Sequence, residues 1–180
     1  PLPAGDSVAV VTNAGGPGVM ATDAVGDADL SLADFESSTL DALGEGLPDE
    51  ANVYNPVDVL GDADVGRFVA ALDAVLEDGN VDAVVVVAAP TATFSFAGLA
   101  EELCEQFERH GVPIVACLMG GERASRAAAR LDEVGIPNYF DPARAVAGID
   151  VLARQRRISE REYEEPTTFD VDRDRVRQTL

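Results

Sequence analysis

Val81-Asp82-Ala83-Val84-Val85-Val86-Val87-Ala88-Ala89 decides how this chain folds. The run is too short for a helix, it is rich in β-branched side chains, and its two alternating faces are both apolar. A strand without a polar face is covered on both sides, as the middle strands of parallel sheets are. On its amino-terminal side, Val65, Phe68, Val69, Leu72, Val75 and Leu76 fall on one face of a helix predicted over Asp64–Glu77. The Asp78-Gly79-Asn80 turn ends that helix.

The same alternation continues in both directions. Downstream, a helix over Phe96–His110 stops at Gly111, and Val112–Met119 reads as a second buried strand. A helix over Glu122–Val134 stops at Gly135, Asn138–Phe140 is a short strand, and Pro142 opens a last helix reaching about Ile158. Upstream, Ser7–Thr12 (SVAVVT) is a strand that runs into a glycine-rich turn and a short helix through Ala24. Asp29–Leu32 is a weaker strand, Glu36–Leu43 a helix, and Asn52–Tyr54 a brief strand before the Asn55-Pro56-Val57-Asp58 turn. Crossovers of these lengths join parallel strands right-handedly. The expected fold is therefore α/β, doubly wound and flavodoxin-like in size, with about five mainly parallel strands and helices on both faces.

This pattern fills residues 1–158 and then dissolves into the charged stretch Glu160-Arg161-Glu162-Tyr163-Glu164-Glu165-Pro166. Asp170–Leu180 resumes a helical pattern that stops with the chain, so residues 159–180 read as a linker and the start of something further. At 180 residues and 47% hydrophobic composition, the chain can bury a core by itself. With 33 acidic residues against 13 basic ones, its formal charge is −20, which excludes a phosphate-tracking nucleic-acid binder and a binder of anionic membranes. All the cations are arginine. Strong self-repulsion of this kind is screened at about 1 M salt, where the Debye length is about 3 Å, and a halophilic, salt-rich cytoplasm is the expected setting. No apolar run approaches the roughly 20 residues of a membrane span, and the start lacks a basic-then-apolar leader. Cys104 and Cys117 have neither disulfide-scaffold nor zinc spacing.

The residues placed to carry chemistry lie where strands run into helices. In Thr12-Asn13-Ala14-Gly15-Gly16-Pro17-Gly18-Val19, three glycines strip side chains from a helix start whose free amides carry the positive end of the dipole. Asn13, Gly15, Gly16, Gly18 and Val19 are thus candidate phosphate ligands, although a tight strand-to-helix turn alone also accounts for the glycines. The spacing is neither Walker A nor the dinucleotide fingerprint. Asn55 and Asp58 form a second polar loop, read first as an Asx turn followed by a helix cap. Thr91 and Thr93 follow the most buried strand, where hydroxyls serve either a ligand or the next helix's cap. Gly120 and Gly121 repeat the arrangement with Glu122 in the first helical turn. His110, the only histidine, sits at a helix end and is read as structural. No triad, metal cluster or paired-carboxylate signature is evident, so no residue is assigned a catalytic or metal-binding role.

Taken together, the Val10–Val19 segment, Asp23, Asn55-Pro56-Val57-Asp58-Val59-Leu60-Gly61-Asp62-Ala63, Met119-Gly120-Gly121-Glu122, Gly135-Ile136-Pro137 and Pro142-Ala143-Arg144-Ala145 resemble a known family. They are similar, in order and spacing from Pro3 to Ala153, to the third α-subunit domain of the ADP-forming acyl-CoA (acetyl-CoA) synthetases, a succinyl-CoA synthetase-like ligase domain. The resemblance implies participation in acyl-CoA + ADP + phosphate ⇌ acid + CoA + ATP through a phosphohistidine held between helix amino termini. Gly15, Gly16 and Gly18 would supply one such cradle. CoA, ADP or ATP with magnesium, and phosphate would be ligands of the full enzyme, with sister CoA-binding, histidine-loop and ATP-grasp domains as partners. His110 lacks the family's Ser-His-Thr context and does not inherit the phosphohistidine role. A protein acetyltransferase relative and a freestanding flavodoxin-like module are the competing readings, and self-association into a homodimer is an open expectation.

Overall fold

A computed structural model of the chain describes residues 1–92 and 94–161. Thr93 and the stretch 162–180 lie outside the described residues, and with them most of the expected lead into a further domain.

The elements follow in the order β1 (Ser7–Thr12), α1 (Gly15–Gly26), β2 (Ser31–Leu32), α2 (Ser37–Gly46), β3 (Val57–Asp58), α3 (Val65–Leu76), β4 (Ala83–Ala88), α4 (Phe96–His110), β5 (Ile114–Leu118), α5 (Glu122–Val134) and α6 (Pro142–Ser159). The five strands form one sheet in the order β2-β1-β4-β5, with β3 also paired to β1, and every strand pairing is parallel. The valine-rich run is central as expected: all six residues of β4 are buried, between β1 and β5. Its alternate side chains feed two cores. Val84, Val86 and Ala88 pack with residues of α2, α3, α4 and α5, whereas Ala83, Val85 and Val87 pack with residues of α1 and α6. Helices thus cover both faces of the sheet.

Helix boundaries follow their caps. Asp64, Ser95 and Asp141 each accept a hydrogen bond from a first-turn amide, those of Arg67, Gly98 and Arg144. Gly111 and Gly135 close α4 and α5 in left-handed conformations, at φ 66° and 85°, where a Cβ would be strained.

Two short strands differ from the sequence pattern. Asn52–Tyr54 is not a strand of the sheet: Asn52 forms an isolated antiparallel bridge with Asp58, and the strand is β3, three residues beyond Tyr54. Pro56, which follows a cis peptide bond and offers no amide to a ladder, separates the two segments. Asn138–Phe140 likewise contracts to one parallel bridge between Asn138 and Ala116, with the Asn138 side chain accepting from the Leu118 amide at 2.9 Å.

One edge of β1 belongs to β4, so β2 and β3 must share the other. β2 pairs with the start of β1 through Val8 and Leu32, and β3 with its end through Val11 and Val57. The Asn55 carboxamide closes the gap between them. It accepts from the Val10 amide at 3.0 Å and donates to the Val8 and Ala33 carbonyls at 2.9 and 3.1 Å. Asn55 therefore completes the sheet edge.

Candidate functional site

Parallel strands end on the same side of the sheet, so the loops after β1, β3, β4 and β5 gather along one edge, where ligands bind in doubly wound folds. The turn after β1 is held from within and from the neighbouring strand. Thr12 Oγ1 accepts from the Ala14 amide at 3.0 Å. Asn13 is buried, accepting from the Ala89 amide at 2.8 Å and donating to the Ala89 carbonyl at 3.1 Å, which ties the end of β1 to the end of β4. Its amide group is a brace between strands.

Helix α1 starts at Gly15 after the extended Ala14, which provides no side-chain cap. Position by position, its amides are accounted for. Ala14 is taken by Thr12, Gly18 donates to the Ala14 carbonyl at 3.0 Å, Pro17 has no N–H, and Val19 lies inside the helical ladder. Gly15 and Gly16 remain, exposed and without an acceptor among the described residues. The five candidates thus divide: Gly15 and Gly16 offer amides, Asn13 braces, and Gly18 and Val19 shape the helix. Gly18 is buried against Thr12, whose methyl carbon lies 2.8 Å from where a Cβ would stand; at Gly16 nothing comes within 4 Å of that position.

Asp58 adds a negative group beside this positive end. Its Oδ1 accepts from the Leu60 amide at 2.9 Å, forming the expected Asx turn, and its Oδ2 lies 3.3 Å from the position of a Gly15 Cβ. Gly61 in the same loop approaches the Asn13 carbonyl. Arg67 holds this loop to α3, donating to the Val59 carbonyl at 3.0 Å and to Asp62 at 2.6 Å. That guanidinium keeps the Asp62 carboxyl below its usual range, by hydrogen bond first and by charge second.

The other candidates lie further along the edge. Thr91 is half-buried with its hydroxyl unpaired among the described residues; the cap of α4 is Ser95. Gly121 is the amino-terminal cap residue of α5 and open to solvent, while Gly120 abuts the Phe96 ring. The structure brings Asn13, Gly15, Gly16 and Asp58 into one place with Thr91 on the loop beyond Ala89, and leaves Asn55 behind in the sheet edge. Two contributors escaped the sequence pattern, Thr12 and Arg67. A threonine two residues before a cap position that has no side-chain cap of its own is a recognisable local turn, whereas nothing local marks Arg67. Among the described residues no cluster of three or more His, Cys, Asp or Glu is placed to hold a metal ion.

A parallel sheet with helices on both faces and an uncapped, glycine-opened helix start at its carboxyl edge defines the class of doubly wound α/β proteins. Within that class, residues 8–160 match the ligase-CoA domain model, and the chain belongs to this family. It is 42% identical over 175 residues to acetate–CoA ligase [ADP-forming] I of Archaeoglobus fulgidus, covering 97% of this chain and 25% of that enzyme. It is 35% identical to the α subunit of acetate–CoA ligase [ADP-forming] II of Pyrococcus furiosus, over 86% of this chain and 35% of the subunit. The acetyl-coenzyme A synthetase 1 of Ca. Korarchaeum cryptofilum, solved in complex with phosphate and ADP, superposes with a TM-score of 0.81 at 29% identity, covering 88% of this chain and 35% of that one. The chain thus spans about a quarter to a third of the proteins it matches.

Proposed function

We propose that this chain is one module of an ADP-forming acyl-CoA synthetase and that the start of α1 holds a phosphoryl group during acyl-CoA + ADP + phosphate ⇌ acid + CoA + ATP. The observation that carries this reading is that Gly15 and Gly16 are exposed and their amides have no acceptor among the described residues. Converging amides at the positive end of a helix bind an anion without a lysine. Residues 1–158 form the ligase domain, and residues 159–180 lead into a following ATP-grasp domain. The relatives' acetate–CoA ligase names support the reaction, and their greater length supports sister domains that contribute CoA binding, the phosphohistidine loop and the nucleotide site. Magnesium would accompany ADP or ATP at the nucleotide site of those sister domains.

Asp58 refines the proposed ligand. A free phosphate dianion at Gly15 and Gly16 is repelled by the neighbouring carboxylate. A phosphoryl group carried on an imidazole has oxygens for the amides and a ring N–H for Asp58, so the site favours phosphohistidine over inorganic phosphate.

Gly15→Pro tests the reading because it deletes one amide where proline suits the first helical position and extended Ala14 suits a following proline. In the complete enzyme, acetyl-CoA-dependent ATP formation should fall at least about tenfold, since losing one preorganised donor costs about 100-fold or more where it faces the developing charge. Gly15→Ala, which keeps the amide, should retain most activity. Equal activity in the two variants contradicts the proposal. The 180-residue chain alone should form no ATP from acetyl-CoA, ADP and phosphate.

A further inference from the structure

The thirteen arginines are not spread evenly over this acidic chain. Arg123, Arg126 and Arg130 stand at i, i+3 and i+7 on α5, hence on one face, and border a groove of about 430 Å³ between α4 and α5. Its floor is apolar: Phe96 and Ala100 from α4 and Ala127 from α5. The single carboxylate among its lining residues is Glu101. The two neighbouring acids, Glu122 and Glu133, pair along the helix with Arg126 and Arg130. Both pairs are largely solvent-exposed, so they hold their guanidinium groups weakly. Arg123 donates one N–H to the Phe94 carbonyl. Each guanidinium thus keeps further donors for an incoming anion.

We propose that this groove binds a small organic anion whose apolar body lies on the Phe96–Ala127 floor and whose phosphate or carboxylate end is taken by Arg126 and Arg130. Its volume is that of a small-molecule site, and planar guanidinium groups match both kinds of oxyanion. The groove lies on the opposite face of the sheet from α1, so this site is separate from the Gly15–Gly16 amides.

Amide NMR of the 180-residue chain tests it with four probes: octyl phosphate and octanoate below their micellar concentrations, octanol, and inorganic phosphate. Octyl phosphate or octanoate, or both, should shift residues 95–101 and 123–130 saturably, and whichever binds more tightly identifies the headgroup. Octanol and inorganic phosphate should bind there at least about tenfold more weakly, since each lacks one half of the interaction. In R126Q/R130Q the amphiphile should lose about tenfold or more in affinity while circular dichroism stays unchanged. Absence of saturable shifts in these segments, equal binding of octanol, or undiminished binding in R126Q/R130Q overturns the proposal. Phosphate shifts confined to Gly15 and Gly16 bear on the other site alone.

Discussion

Asn55 supplies three hydrogen bonds where β2 gives way to β3, two to the Val8 and Val10 backbone of β1 and one to the Ala33 carbonyl that follows β2. Asn55→Ala should therefore cost about 2–4 kcal/mol by chemical denaturation, because it strands partly buried backbone groups; a loss below about 0.5 kcal/mol would refute the role. At the glycine turn the two outcomes separate by space. Gly18→Ala drives a methyl into Thr12 and should destabilise by about 1–3 kcal/mol, whereas Gly16→Ala meets open space and should leave stability unchanged or slightly raised. Of these roles the sequence displayed the residue types but not the assignments. Asn55 reads locally as a turn residue, and its partners lie 22 to 47 positions away. The separation of Gly15 and Gly16 from Gly18 and Val19 likewise required a helix start fixed at Gly15. Cys117, by contrast, was legible as a core residue. Burial in β5 pushes its thiol up to about 12, so Ellman's reagent should leave it unmodified in the folded chain at pH 8.

At the scale of elements, the long segments were readable because each carries one period: β1, β4 and β5 as apolar runs, α3 to α5 as amphipathic stretches with glycine stops. Of the two-residue strands, β2 falls inside the weaker Asp29–Leu32 strand, whereas β3 was not legible, since a ladder that short is decided by its neighbour's free edge. The loop after β3 illustrates a tie without a local signal. Arg67 pins it from α3, and the Asp62 carboxyl is consequently held below its ordinary value of 3.8. A depressed carboxylate stabilises the folded state above the unfolded value and loses that contribution as pH falls through the folded one. In an NMR titration, Asp62 should titrate below 3.8 in the parent and return toward it in Arg67→Gln. An unchanged midpoint would show that the guanidinium does not govern this loop.

Over the whole molecule, charge and exposed apolar surface dominate. A formal charge of −20 resists compaction until salt screens it. The melting temperature should rise by several degrees between about 0.1 and about 2 M KCl, a salt chosen over sulfate to limit salting-out; a flat or falling trend would remove the halophilic reading. Val19 and Met20 are exposed on α1 just beyond the two open amides. If α1 holds a phosphoryl group as proposed, an apolar rim beside it suits delivery by a sister domain rather than by a ligand arriving from bulk water. The fold was legible from the alternation of apolar runs with amphipathic helices, and the family from the order of its motifs, whereas the placing of the Asp58 carboxylate beside Gly15 emerged only once the loops were brought together.

The central claim, that the start of α1 is an anion cradle, is tested most directly by titrating phosphate into the isotope-labelled chain and following its backbone amides. Saturable shifts centred on Gly15 and Gly16 are expected, several-fold tighter in Asp58→Asn, where the repelling charge is gone and the acceptor for the Leu60 amide remains. If neither protein shows saturable shifts at those two amides, or if phosphate perturbs another part of the chain instead, the proposed role of this helix is wrong.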